Sequence, residues 1–138
     1  MRHDTNHGTI NMMSNNRISA VLVSTDLETS QAFYEKTVGL TLSAQTIKNH
    51  LVFDCGGGTT LLIYGRPSGN TANHTQVRFW SDDIDRDVAD LVGRGVQFDD
   101  YDTPTFKTVN HVATSPGIGR SAWFKDPDGN TIALYQPE

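Results

Sequence analysis

The 138-residue chain holds a single cysteine, Cys55. One thiol excludes an internal disulfide and any zinc site built from several cysteines. There is also no run of the ~18 apolar residues that a membrane-crossing helix needs. Basic residues are few: 11 Lys and Arg stand against 16 Asp and Glu, a net charge of −5. Nucleic-acid phosphates require a basic footprint, so DNA and RNA are poor partners. The opening MRHDTNHGTINMMSNNR lacks the apolar stretch and small-residue cleavage site of a secretory signal. A cytoplasmic location is therefore expected, with residues 1–16 as a flexible polar tail. Met1-Arg2-His3 offers a terminal amine and an imidazole to copper or nickel, but a solvated leader is the simpler reading.

Beyond the tail, one pattern occurs twice. ISAVLVSTDLETSQAFYEKTVGL reads as a strand, a capped helix and a glycine stop at Gly39. Thr25 and Glu28 have the spacing of a capping box, in which two side chains satisfy orphan amide donors. TQVRFWSDDIDRDVADLVGRGVQF repeats the layout, with Ser81 and Asp82 as candidate caps and Gly95 as the stop. Ile84, Val88, Leu91 and Val92 form the apolar stripe of a helix in that segment. Each helix is followed by a hairpin: HLVFDC, GGG and TTLLIYG, then RSAWFK, DPDG and NTIALYQ. Asp126-Pro127-Asp128-Gly129 suits a type I turn with a glycine after it. An offset of 57 places Asp26 on Asp83, and an offset of 71 places Gly58 on Gly129 and Tyr64 on Tyr135. The difference is taken up by the long loop DDYDTPTFKTVNHVATSPGIG in the second copy.

These observations predict an α+β fold of two βαβββ modules, about 17–66 and 74–138, in one domain spanning 17–138. Each module is expected to be a four-stranded antiparallel sheet with a helix on one face. Side by side, the two open faces would wall a cleft, and clefts between sheets take small ligands.

The segments STDLETSQAFYEKTVGL and FKDPDGNTIALYQP, with the repeated Asp-Ile and its helix, resemble the vicinal oxygen chelate superfamily. Glyoxalases, extradiol dioxygenases and bleomycin-resistance proteins belong to it. In its enzymes a divalent metal is held by four strand positions, usually His, Glu or Gln. Carried onto this chain, those positions are Ser19, Leu62, Gln76 and Ala133. Such an ion needs several oxygen or imidazole donors. Leucine and alanine have none, so no metal and no other cofactor is expected. His74 and His50 are read as strand-entrance and loop-edge residues rather than replacement ligands.

Strand alternation places Gln76, Arg78 and Trp80 on one face, with Thr131, Ala133 and Tyr135 beside them and Ser19 in the first copy. The predicted ligand-binding set is Ser19, Gln76, Arg78, Trp80, His111, Trp123, Ala133 and Tyr135. Nothing in the sequence fixes the register of Trp123, and His111 lies in the long loop, where a surface histidine is the competing reading. Arginine and aromatic faces suit a flat, partly polar organic compound. Cys55 has no partner to lower its pKa and is read as an inert thiol. GGG lacks the Lys and the helix of a phosphate loop and is read as a turn. SPGIGR is either a flap over the cleft or a plain surface loop. The resemblance implies a metal-independent small-molecule binding protein that sequesters an antibiotic or metabolite, and a homodimer. The alternative is a metal-free lyase, isomerase or cyclase using Gln76, Arg78, Tyr135 or His111.

Overall fold

A computed structural model describes residues 13–138. Met1-Arg2-His3 and most of the expected tail lie outside the described residues. The first module runs β1 (Ala20–Ser24), α1 (Leu27–Ala32), β2 (Thr41–Leu42), β3 (His50–Asp54) and β4 (Thr60–Gly65). A π-helical segment, Phe33–Val38, continues α1 until Gly39 stops it at φ 91°. The second module runs β5 (Thr75–Trp80), α2 (Ile84–Gly93), β6 (Phe98–Asp99), β7 (Thr108–Val109), β8 (Val112–Ser115), β9 (Gly119–Lys125) and β10 (Thr131–Pro137).

The sheets are ordered β1-β4-β3-β2 and β5-β10-β9-β8-β7, and β6 shares the outer edge of β9 with β8. They are mixed rather than antiparallel, because β1 pairs β4 and β5 pairs β10 in parallel. The cause is the helix. It carries the chain back so that the second strand runs with the first, and two reversals later the last strand does too. Both offsets in the sequence survive in the register: Val21 pairs Leu62, and its counterpart Arg78 pairs Ala133. The second module departs from βαβββ in one respect, since its long loop folds an extra hairpin, β7 and β8, onto β9.

The helix caps sit later than the sequence suggests. Asp26, not Thr25, caps α1 by accepting the Thr29 N–H at 3.3 Å. Asp83, rather than Ser81 or Asp82, does the same for α2 with Arg86. Ser24 and Ser81 each brace the cap by accepting its backbone N–H. Thr25 is committed elsewhere: its N–H and hydroxyl donate to Asp128 Oδ1 at 2.9 and 2.8 Å.

That contact is part of a staple between the modules. The Tyr34 hydroxyl donates to Asp126 Oδ2 at 2.6 Å. Asn130 donates to the same oxygen and to the carbonyl of Val23, on β1. Burial, together with the charges of Asp126 and Asp128, pushes the Tyr34 phenol far above its usual range, so it remains a neutral donor. Around the staple, the Tyr34 ring packs on Phe53 of the first sheet and Phe33 on Phe124 of the second. Leu22, Phe53, Leu61 and Ile63 thus share one core with Ile84, Phe124, Ile132 and Leu134.

The helix-bearing faces of both sheets therefore meet in a common interior, and their opposite faces look outward. Strand alternation does not say whether the expected cleft forms within one chain or between copies, and in this chain a groove with residues of both modules on its walls lies beside β5. Val21 on the first outward face is 55% exposed and Trp80 on the second is 68% exposed.

Asp128 generates a pH prediction. Burial pushes its carboxyl up, but hydrogen bonds from Thr25, Ser24 and Ser30 outweigh that and hold it below its usual value. A depressed folded-state pKa stabilises above the unfolded value of about 3.9, and the benefit is lost as pH falls through the folded value. Asp128→Asn should cost about 1–2 kcal/mol near neutral pH, the scale of hydrogen bonds to a partly solvated charge. In urea unfolding the gap to wild type should hold from about pH 7 to 5 and then close as the carboxyl protonates. A gap that widens in acid would contradict the staple.

Candidate functional site

The outward face of the second sheet gathers six of the residues singled out from the sequence: Gln76, Arg78, Trp80, Trp123, Ala133 and Tyr135. Backbone pairing sets Arg78, Ala133 and Trp123 in one row across β5, β10 and β9, and Trp80, Tyr135 and Ser121 in the next. The register of Trp123, open in the sequence, is thereby fixed on this face. Neighbouring strands are about 4.8 Å apart, so residues in a row touch. The Arg78 guanidinium carbon lies 4.2 Å from the Tyr135 ring centroid and 5.2 Å from that of Trp80. Trp80 meets Tyr135 edge-on, with centroids 5.2 Å apart.

On the other side of β10, Trp123 packs against Tyr101 and Phe106 at 5.7 and 5.4 Å. Those two loop aromatics also touch each other. Ala133, between the two groups, is only 2% exposed. Its methyl lets a guanidinium and an indole stand on either side of one short residue. The Tyr135 hydroxyl is tied to the Ile118 carbonyl at 2.7 Å, so the SPGIGR segment props this ring. Gly119 makes that approach possible: at φ 145° a Cβ there would collide with the Gln136 carbonyl and press on the Tyr135 ring.

The charges of the face are simple. Lys125 is neutralised by Asp99 at 2.6 Å. Among the described residues, Arg78 makes no hydrogen bond and no ion pair, and its guanidinium lies against the two rings. A groove of about 590 Å³ opens beside the cluster. Arg78 and Trp80 form part of one wall, and Ile18, Ala20 and Thr60 part of the other.

The remaining sequence candidates lie elsewhere or have other work. Gln76 shares the face, but its amide is fully engaged. Its oxygen accepts from Thr131 N–H and Asn70, and its nitrogen donates to Asn70 and Asn130. It holds the linker and the irregular start of β10. Ser19 stands on the first sheet, its hydroxyl 2.5 Å from that of Thr60. His111, in a left-handed conformation, stacks on Phe98 and bonds Asp100 at 2.8 Å. Phe98 pairs with core residue Phe124, so His111 lies toward the helix side, away from the Arg78 cluster.

His50 stacks on Tyr64, and His74 is exposed beside the Thr75 carbonyl. Burial and the neighbouring Asp54 push the Cys55 thiol up, which keeps it protonated. The four superfamily metal positions are split between the two sheets, Ser19 and Leu62 on the first and Gln76 and Ala133 on the second. Two carry hydrocarbon, and Gln76 is spent on the scaffold, so this donor set does not fit a metal. Among the described residues no three His, Cys, Asp or Glu cluster as ligands. Tyr101 and Phe106 were missed from the sequence. The available signal was two rings in the polar, proline-containing stretch YDTPTF.

The Glyoxalase/Bleomycin resistance protein/Dioxygenase superfamily model matches residues 16–134. Among solved structures, TnmS3, an antibiotic binding protein from Streptomyces sp. CB03234, is 31% identical with a TM-score of 0.63. The match covers 88% of this chain and 96% of that one. A glyoxalase/bleomycin resistance protein from the same organism is also 31% identical, with a TM-score of 0.59, covering 86% and 100% of the two chains. The fosfomycin resistance protein FosX of Listeria monocytogenes shares the fold at 19% identity and a TM-score of 0.65, covering 88% and 92%. No curated protein matches the chain.

The division between scaffold and site is testable by urea unfolding. Gln76→Ala strands Thr131 N–H and its partners and should cost about 1–3 kcal/mol. Arg78→Gln loses only exposed cation–π contacts and should cost under about 1 kcal/mol. Equal losses would argue against the division.

Proposed function

The chain belongs to the Glyoxalase/Bleomycin resistance protein/Dioxygenase superfamily, and from that premise we propose that it is a metal-independent small-molecule binding protein that sequesters an antibiotic or metabolite. One observation carries the reading: an outward surface on the second sheet where exposed Arg78 and Trp80 adjoin half-buried Tyr135 and Trp123, and where the superfamily's metal positions offer hydrocarbon and a committed amide. Aromatic faces provide apolar area in fixed orientations, and a guanidinium adds a directional polar contact. The likeness to TnmS3, an antibiotic binding protein, supports the same reading. The placement of His111 and Asp100 away from this surface, and the tether on the Tyr135 hydroxyl, favour binding over turnover.

The working unit in this reading is a homodimer. Each chain bears two outward sheet faces: an apolar one with Val21, Val23 and Leu62, and the aromatic one with Arg78 and Trp80. A two-fold pairing sets the first face of one copy against the second face of its partner, twice over, and leaves neither exposed. The ligand is then held between copies, with the partner's first sheet as its cover.

Three measurements test this proposal. Light scattering should give twice the 15.2 kDa chain mass. Elemental analysis should find no stoichiometric metal, and a chelator should leave the melting temperature unchanged. Val21→Asp, on the proposed cover, should weaken both pairing and ligand uptake without unfolding the monomer. One tightly held transition metal per chain, or a monomer that binds ligand as well as the intact assembly, would overturn it.

A further inference from the structure

The outward face of the second sheet has one net charge, and that charge is positive. Lys125 and Asp99 cancel each other. Of the acids of α2, Asp85 is held by Arg120 and Asp87 by Ser81, while Asp90 lies with Asp87 in the pocket between the helix and β5. Arg78 is therefore the face's only uncompensated charge among the described residues, in a chain of net charge −5. A guanidinium presents five N–H donors and no acceptor. None of the five meets a protein acceptor among the described residues. The Tyr135 and Trp80 rings nevertheless restrict where the group sits, so less freedom is lost when it binds.

The other polar groups on this face are few. The Tyr135 hydroxyl already donates to Ile118 and the Gln76 amide is filled. A sugar or peptide ligand, which needs many paired donors and acceptors, finds little here. A polyamine or amino sugar meets a like charge there, and among the described residues no free carboxylate on the outward face offsets it.

Resting on the reading of this face as a ligand surface, we infer that it selects an aromatic anion. Such a ligand has planar rings that lie against Trp80 and Trp123, and a carboxylate, sulfonate or comparable acidic group that meets Arg78. A carboxylate or sulfonate accepts two N–H groups side by side, which a lysine at this position could not match. The inference makes Arg78 the determinant of ligand charge and the two tryptophans the determinants of ring content.

The chain has only two tryptophans, and both lie on this face. Intrinsic fluorescence therefore reports the site alone. The probes are 8-anilinonaphthalene-1-sulfonate and N-phenyl-1-naphthylamine, which carry the same rings with and without the acidic group. Titrated into the intact protein at low salt, the sulfonate should quench tryptophan emission with about tenfold higher affinity, the scale of one charge-assisted contact. The preference should shrink as salt is raised. Arg78→Gln should abolish it and Arg78→Lys should retain part, with urea unfolding confirming that both variants are folded. Equal affinity for the two probes, unaltered by Arg78→Gln, would overturn the charge inference while leaving small-molecule binding intact. If neither probe quenches the tryptophans, the ligand-surface reading falls together with the inference.

Discussion

The hydrogen bond from the Tyr34 hydroxyl to Asp126 fixes the arrangement on which everything else depends. It ties the end of the first helix to the β9–β10 turn of the other module, in an interior where an unpaired carboxylate would be costly. Asn130 satisfies the same oxygen and reaches across to the Val23 carbonyl on the free edge of β1. With those groups paired, the aromatic rings on either side of Tyr34 can bury against both sheets. The helix-bearing faces close on one another, and each sheet must turn its other face out. The exposure of Trp80 and Val21 is thus a consequence of how the core is built, not an isolated lapse in burial. Apolar residues placed together on an outward sheet face ordinarily mark a surface that meets something.

Within the aromatic face, a small residue decides what its neighbours can do. A carboxylate at position 133 would stand between Arg78 and Trp123 and pair with the guanidinium. Leucine there would push the two side chains apart, and overpacking of this kind costs about 1–3 kcal/mol. Alanine does neither. It leaves the arginine without a counter-ion and allows the indole to lean on Tyr101 and Phe106. Alanine at the superfamily position thus withholds a donor and at the same time leaves Arg78 without a counter-ion beside aromatic rings.

Much of this was legible in the sequence. The two offsets predicted that the copies share one frame, though not that their first and last strands pair in parallel, and alternation predicted that Gln76, Arg78 and Trp80 share a face with Ala133 and Tyr135. Strand periodicity says which residues share a face but not which side chains are already spoken for. Gln76 was counted as a ligand contact because its amide partners, Asn70 and Asn130, are distant in sequence or lie in the linker. His111 was left open because a long loop has no period to read. Its place was set by the β7–β8 hairpin and by stacking on Phe98, which arise from long-range packing. Local spacing suits Thr25 to a cap, whereas Asp128, more than a hundred residues away, claims it. The outward turn of the sheets was equally out of reach, since it depends on Phe33 and Tyr34 finding partners in both modules.

The repeat itself explains why only one of the two outward faces is a candidate site. Under the two offsets, Val21 corresponds to Arg78, Val23 to Trp80, Leu62 to Ala133 and Tyr64 to Tyr135. The backbone pairings at these positions are the same, so the copies differ in side chains rather than in frame. The first copy presents two valines and a leucine, with His50 lying on its tyrosine. None of the four positions carries a cation, and a surface of that kind suits exclusion of water better than recognition. The second copy keeps the tyrosine but surrounds it with a guanidinium and an indole around a methyl floor. A face that recognises and a face that covers are both needed to enclose a planar molecule. In the proposed reading each chain carries one of each, and two copies related by a two-fold axis would bring them together.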